Sequence, residues 1–159
     1  MTLPSPYSKS VVVRARAEDL YAMIADVSRM GQWSPVCTGG KWEDTAANGA
    51  GSWFVGRNET PERVWETRCL VVAAEPGEEF AFVVGGDRVR WGYRFAPHAE
   101  GTEVTESWEM LTEGEVFFQE RFGERAGEEI AAREVAAHEG IAATLAALKV
   151  AAEAAEWRA

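Results

Sequence analysis

Glu106 carries a carboxyl group on what the sequence predicts to be the apolar face of a strand. Val104, Trp108 and Met110 share its parity, whereas the alternate positions from 103 to 109 are Glu, Thr, Ser and Glu and form the solvated face. A carboxylate on an apolar face must be paired, be protonated or face a wet cavity, because burying an unpaired charge is costly. We therefore expect Glu106 to act as a general acid or base, or to anchor a ligand hydroxyl. The structural alternative is an ion pair with an arginine at the mouth of a cavity.

Two other side chains could assist Glu106 in proton transfer. Tyr93 lies on the apolar face of the preceding predicted strand, where its hydroxyl could orient a ligand carbonyl or act as an acid. His138, on or beside the apolar stripe of a predicted helix, could shuttle a proton near neutral pH. The structural alternative for His138 is a partly exposed helix residue that is hydrogen-bonded to a neighbour. The predicted catalytic residues are thus Glu106, Tyr93 and His138.

Aromatic residues supply the candidates for ligand contact, since the chain contains seven tryptophans and seven phenylalanines. Such side chains either fill a core or wall a cavity that stacks on a planar or polyene ligand, and the composition leaves both readings open. The predicted ligand-binding residues are Trp33, Phe54, Asn58, Trp65, Cys69, Phe82, Trp91, Trp108, Glu134 and Ile141.

Three of these candidates carry a specific expectation. Asn58 faces the cavity if Phe54 on the same strand does, and Glu106 is then a candidate partner for its amide. Cys69 is expected to be a small core residue rather than a nucleophile, because the adjacent Arg68 lies on the opposite, solvated face of the predicted strand. Trp33, together with Cys37, is expected to line the rim of the entrance.

The elements that must position these residues follow from the periodicity of the chain. Strand patterns cover residues 10–14, 40–44, 52–58, 63–74 and 79–84, and two more strands lie within 88–111 around a turn at 97–101. Short helices are predicted at 18–25 and 28–33, and a long alanine-rich helix at 124–157. Residues 112–123 are predicted to be a lid-like connection, with or without a helical turn. Which side of strand 52–58 faces inward is ambiguous.

This order predicts an α+β fold in which a curved antiparallel sheet of about seven strands wraps around the C-terminal helix. Each strand has one apolar face, and the terminal helix is the only element long enough to cover the sheet. A curved sheet on a single helix closes imperfectly, so we expect a ligand cavity between them. The 159 residues are predicted to form one domain, residues 1–159.

Charge and composition exclude several classes of function. The net charge of −10 argues against nucleic acid or an anionic membrane as the main partner, because phosphate binding requires clustered basic residues. Two cysteines without a CxxC pattern argue against a zinc site or a disulfide framework. No phosphate-binding loop or metal-ligand cluster is apparent, so neither cofactor nor metal is predicted. Residues 1–10 contain no apolar run of the kind found in signal sequences, and no run is expected to be long enough to span a bilayer, so we expect a cytoplasmic protein without membrane insertion. Monomer and homodimer remain open.

Several stretches resemble one family. They are residues 21–27 (YAMIADV), 29–35 (RMGQWSP), 75–77 (EPG) with 80–82 (FAF), 101–108 (GTEVTESW) and 144–149. Through these stretches the sequence resembles the polyketide cyclase/dehydrase-like branch of the START and Bet v 1-like (SRPBCC) superfamily. The resemblance implies a helix-grip fold with a cavity under the last helix, lined by inward residues of the sheet. It implies no fixed catalytic set, since fold alone does not specify function.

Two functions from different classes follow. The first is a cyclase or dehydratase-type enzyme that folds an aromatic or polyketide-like chain by orientation, with acid–base help from Glu106. The second is a non-catalytic carrier or sensor of a lipid or other hydrophobic metabolite, with Glu106 and Asn58 as polar anchors. A weaker third hypothesis is a partner-binding module that uses the face of Arg88, Arg90 and Arg94.

Overall fold

The computed structural model describes the backbone of residues 3–158 and the side chains of residues 3–155. Residues 1, 2 and 159 of the predicted domain lie outside this part. The strands are β1 (Tyr7–Val13), β2 (Cys37–Trp42), β3 (Trp53–Thr60), β4 (Arg63–Glu75), β5 (Glu79–Val84), β6 (Val89–His98) and β7 (Gly101–Met110). The α-helices are α1 (Ala17–Ala25), α2 (Thr112–Phe122) and α3 (Ala126–Arg158), and 3-10 helices cover Val27–Gln32 and Gly123–Arg125.

All seven strands form one antiparallel sheet in the order β1-β7-β6-β5-β4-β3-β2. Strands β2 to β7 follow one another as a meander, and β1 joins the sheet at its other end by pairing with β7. The sheet curves around the long helix α3, whose apolar side packs into the same core as the inward residues of the strands. The prediction of an α+β helix-grip fold is confirmed.

Helix α3 is held by an apolar stripe at helical spacing. The stripe predicted from the sequence, residues 130, 137, 141, 145, 148 and 152, is buried throughout. Near its C-terminal end, the Lys149 ammonium group donates to the carbonyl oxygen of Val12 at 2.7 Å, and the backbone N–H of Arg14 donates to Glu153 at 3.0 Å. These two bonds attach the helix to the edge strand β1.

The inward face of β3 is settled by burial. Phe54 is buried and packs edge-on against Phe82, with ring centroids 5.1 Å apart. Gly56 and Asn58 share its side of the strand, which answers the question that the sequence left open. Two boundaries also moved: β1 begins at Tyr7 rather than residue 10, and β2 covers Cys37–Trp42 rather than 40–44.

Residues 112–122 form a packed helix rather than the lid-like connection that we predicted. Gly114 lies so close to the residue before β6 that a Cβ atom there would overlap the carbonyl oxygen of Arg88, and it would lie 2.7 Å from the sulfur of Met110 at the end of β7. Gly123, with φ of 57°, then ends the helix in a conformation that favours glycine. Both glycines read as loop signals in the sequence, because a close approach between distant segments leaves no local pattern.

The helical region Thr112–Ala155 is long and apolar enough to cross a membrane, by length and composition alone. The expectation that no run of the sequence is long enough to span a bilayer was therefore wrong. In this fold the region contains the core helix α3, whose stripe is covered by the sheet. The packing against the sheet explains why one side of α3 is apolar. Its many alanines are also apolar, and they favour a long helix because alanine is the strongest helix former.

Candidate functional site

The pairing of β6 with β7 brings Tyr93 and Glu106 together. The two residues are directly opposite each other in the antiparallel register, so their side chains leave the sheet on the same face. The Tyr93 hydroxyl donates a hydrogen bond of 2.9 Å to Oε2 of Glu106. Glu106 is 2% exposed and Tyr93 is 6% exposed. The pair is thus a buried polar contact inside an apolar core.

The other carboxyl oxygen of Glu106, Oε1, is buried and has no hydrogen-bond partner among the described residues. None of the ion pairs in that part of the chain includes Glu106, so the ion-pair alternative considered for it is not what the structure contains. Lys9 is its cross-strand neighbour on β1, but the Lys9 side chain is exposed. A buried polar atom without a partner is unusual in a folded protein and points to a functional role.

Burial sets the protonation state of the pair. Removal from water raises the pKa of Glu106 to about 8, and the hydrogen bond from Tyr93 opposes this only in part. Burial, and then the adjacent charge of Glu106, raise the pKa of Tyr93 well above its ordinary value. At neutral pH Glu106 is therefore mostly a neutral carboxylic acid, and Tyr93 is a neutral phenol.

An aromatic row lies beside the pair on the same face of the sheet. Tyr7, Trp108, Trp91 and Phe82 are successive cross-strand partners on β1, β7, β6 and β5. Trp108 and Phe82 are buried, whereas Trp91 is half-buried. Trp108 follows Glu106 by two residues and Trp91 precedes Tyr93 by two, so the row is the next layer along the strands. The carboxyl group thus lies next to a wall that can stack on a planar molecule.

Asn58 and Cys69 belong to a second polar group on β3 and β4. The amide of Asn58 donates to the Thr67 hydroxyl at 3.2 Å. The expectation that Glu106 is the partner of Asn58 was therefore wrong. Burial raises the pKa of the Cys69 thiol to about 12, which agrees with an unreactive core residue. Burial also raises the pKa of Cys37. The negative charge that Cys37 would carry as a thiolate contributes to the raised pKa values of Cys69 and Tyr93. These thiols are protonated at neutral pH.

His138 does not take part in the Tyr93–Glu106 hydrogen bond. Its ring stacks on Tyr7, with centroids 3.8 Å apart and planes 20° apart. This contact extends the aromatic row from β1 onto α3, next to Ile141, which is fully buried. Glu134, one helical turn earlier than His138, is half-buried.

Two tryptophans differ from the expected arrangement. Trp33 is buried in the core with the Arg29 guanidinium 5.0 Å above its ring, rather than exposed at a rim. Trp65 has the inward parity that was predicted, yet it is half-exposed and carries the Arg63 guanidinium 4.2 Å from its ring. The reason is position: Trp65 lies near the start of β4, towards the end of the sheet.

Tyr7 and Lys9 were missed by the sequence reading, which began the first strand at residue 10. The signal was present, because Tyr7, Val11 and Val13 keep a period of two with Lys9 at the intervening inward position. Within the residues described, no group of three or more His, Cys, Asp or Glu side chains could hold a metal ion.

Two surface depressions lie away from the pair. One, of about 580 Å³, is lined by residues 14–18, 97 and 99–102, and the other, of about 510 Å³, lies between the first 3-10 helix and strands β2 to β4. Neither is lined by Glu106, Tyr93 or any predicted ligand-binding residue. The pair itself is buried, with Phe80 as the cross-strand partner of Tyr93 and with Trp108 two residues from Glu106 on the same strand, so ligand access requires neighbouring elements to separate.

Replacing Tyr93 with phenylalanine is expected to raise the pKa of Glu106 further. The hydroxyl of Tyr93 is the group that lowers this pKa, and its loss leaves Oε2 unpartnered as well. The loss of stability at neutral pH should be about 1–3 kcal/mol, the usual effect of leaving one buried polar group unsatisfied. Carboxyl ¹³C chemical shifts followed against pH measure the pKa, and a downward movement would contradict this role for Tyr93.

Comparison with known proteins gave one family and several solved structures. The family model described as polyketide cyclase / dehydrase and lipid transport matches residues 7–153. The polyketide cyclase-like protein Cgl2372 from Corynebacterium glutamicum is 42% identical, with 91% of this chain and 88% of that chain covered and a TM-score of 0.68. No curated protein matches the sequence.

Two further structures are described as di-domain ARO/CYC proteins. StfQ, from the steffimycin biosynthetic pathway, is 14% identical over 95% of this chain and 51% of its own, with a TM-score of 0.73. BexL, from the BE-7585A biosynthetic pathway, is 17% identical over 94% of this chain and 50% of its own, with a TM-score of 0.70. This chain spans about half the length of each, and at these identities the likeness concerns the fold.

Proposed function

This chain belongs to the polyketide cyclase / dehydrase and lipid transport family, and we propose that it binds a small hydrophobic, aromatic or polyketide-like molecule between the sheet and α3. We further propose that it acts on this molecule as a cyclase or dehydratase-type enzyme. The observation that carries the proposal is the buried carboxyl group of Glu106, with one oxygen held by Tyr93 and the other unpartnered among the described residues, beside an aromatic row.

Support from relatives is of two kinds. The Corynebacterium protein, which is similar over most of both chains, is described as polyketide cyclase-like. StfQ and BexL are described as ARO/CYC proteins of two biosynthetic pathways. A fold of this kind hosts many chemistries, so the activity must rest on the residues of this chain.

In the proposed dehydration, Glu106 supplies and recovers one proton. The protonated carboxyl group gives its proton to a hydroxyl of the ligand, which leaves as water. The carboxylate then takes the proton from the adjacent carbon as the double bond forms, which restores the acid. Tyr93 stabilises the transient carboxylate through its bond to Oε2. This acid–base step accelerates the reaction on the order of 10²–10⁴-fold, and the orientation of the ligand against the aromatic row supplies the remaining acceleration.

The alternative is a carrier or sensor that binds a hydrophobic metabolite without changing it. The family description includes lipid transport, and the aromatic face needs no reactive group to hold a ligand. In such a carrier, Glu106 and Asn58 would form polar contacts with the ligand, and Trp91 and Trp108 would form its apolar contacts. We expect a cytoplasmic protein, monomeric or homodimeric, without nucleic acid as a partner.

The Glu106→Gln substitution distinguishes an enzyme from a carrier. Glu106→Gln keeps the size of the side chain and a hydrogen-bond donor but removes the titrating proton. An enzyme should lose turnover by about 10²-fold or more while it retains ligand affinity, whereas a carrier should change in affinity at most. Mass spectrometry of the molecule that co-purifies with the protein from its native host supplies the substrate for the assay.

Glu109→Gln is the matched control, because it makes the same substitution on the same strand at an exposed position. It should leave turnover and affinity unchanged. Equal turnover in the native protein and the Glu106 variant would remove Glu106 from the reaction.

A further inference from the structure

We infer that Glu106 acts as a neutral hydrogen-bond donor from Oε1 to an acceptor oxygen of the ligand. The site therefore selects uncharged molecules that carry a ketone or quinone carbonyl group and rejects carboxylate anions. This inference rests on the proposed hydrophobic ligand site and specifies which polar group the ligand presents there.

The first step concerns the hydrogen bonds of the pair. Tyr93 has a single hydroxyl proton, and it is donated to Oε2 of Glu106. Oε1 is buried and without a partner among the described residues. If Glu106 were ionised, Oε1 would need a donor from the ligand, and if Glu106 is protonated, the Oε1 hydroxyl needs an acceptor. The charge state of Glu106 thus decides the chemistry of the ligand.

The second step concerns the charges around Glu106. From β6 it is faced by the phenol of Tyr93, and from β1 by Lys9, whose side chain is exposed. Within its own strand the inward neighbours are Val104 and Trp108, both buried and apolar.

Helix α3 adds no counter-charge in the described contacts. Its sheet-facing stripe is apolar, and Thr144 is the buried polar residue on this part of the helix. The titratable groups of α3 on the sheet side are engaged elsewhere or partly in water: His138 stacks on Tyr7, Lys149 pairs with Glu153, and Glu134 is half-buried. The thiols of Cys37 and Cys69 are neutral near pH 7. A carboxylate here would be a buried charge with no counter-charge and only the Tyr93 hydrogen bond to stabilise it, so the group stays protonated.

The third step concerns the ligand. A protonated Glu106 offers its proton to an oxygen lone pair, and a carbonyl oxygen accepts it without bringing a charge into the core. A ligand carboxylate would have to be desolvated with no cation beside it, apart from the solvent-exposed Lys9. A ligand without an acceptor would leave the donor unpaired, and sites built around a polar contact discriminate against such analogues. The neighbouring aromatic row accounts for the rest of the affinity.

The test compares three probes of nearly equal shape: 2-acetylnaphthalene, 2-ethylnaphthalene and 2-naphthoate. Isothermal titration calorimetry at pH 6.5 should show the ketone binding about tenfold more tightly than the hydrocarbon, the usual gain from one added hydrogen bond. The naphthoate anion should bind more weakly than either. At pH 9.5 the ketone's advantage should vanish in the native protein, because Glu106 is then ionised.

Two variants make the result specific to the proton of Glu106. Glu106→Gln supplies an amide donor that does not titrate, so its preference for the ketone should persist at both pH values. Glu109→Gln, exposed on the same strand, should behave as the native protein.

The outcomes separate the inference from the function on which it rests. Binding of all three probes without a preference for the ketone, or tightest binding of the anion, would overturn the inference and leave the hydrophobic site intact. Failure of every probe to bind at either pH would overturn the proposed site itself, and the inference with it.

Discussion

The Glu106→Gln variant is expected to gain about 3 kcal/mol of stability relative to the native protein when the pH is raised from 5.5 to 9. Folding raises the pKa of Glu106 from 4.5 to about 8, so the native state binds this proton more tightly than the unfolded state does. The stabilisation is complete below the unfolded value and is lost as the pH rises through the folded value. Glutamine does not titrate, so the variant escapes this loss.

The measurement is urea unfolding of both proteins at a series of pH values, compared as a difference at each pH. Taking the difference removes the titration of the other carboxyl groups, which both proteins share. Glu109→Gln is the control, and its difference from the native protein should stay flat because residue 109 is exposed. A flat difference for Glu106→Gln as well would mean that the carboxyl group is ionised at neutral pH, and the proposed acid would be lost.

Replacing Leu148 with alanine is expected to destabilise the protein by about 2–5 kcal/mol, the range for a buried leucine truncated to alanine. Leu148 is fully buried on the stripe that joins α3 to the sheet. Truncation loses the transfer free energy of the removed carbons and leaves a void that a closely packed core fills only partly. The midpoint and slope of urea unfolding report the effect.

Val150→Ala on the same helix is the matched control. Val150 is 71% exposed, so its truncation should change the stability by no more than about 0.5 kcal/mol. Equal effects of the two substitutions would show that α3 does not cover the sheet as described.

The amino-acid sequence determined the faces of the elements. Alternation with a period of two identified the inward sides of β4 to β7, and helical spacing identified the buried stripe of α3. Glu106 was found in the same way, as the one charged residue on an otherwise apolar face. These features are readable because the periods of strands and helices are local properties of the chain.

Only the tertiary structure decided which of these faces meet. The register of β6 against β7, not any motif, places the Tyr93 hydroxyl 2.9 Å from Glu106, and the pairing of β1 with β7 brings Tyr7 beneath His138. Asn58 found Thr67 rather than Glu106 because β3 pairs with β4 and lies four strands away from β7. Helix α2 depends on the close approach of Gly114 to the backbone of Arg88. Each of these contacts joins residues on different elements, and the free energy that selects them comes from packing the whole core, which no local pattern encodes.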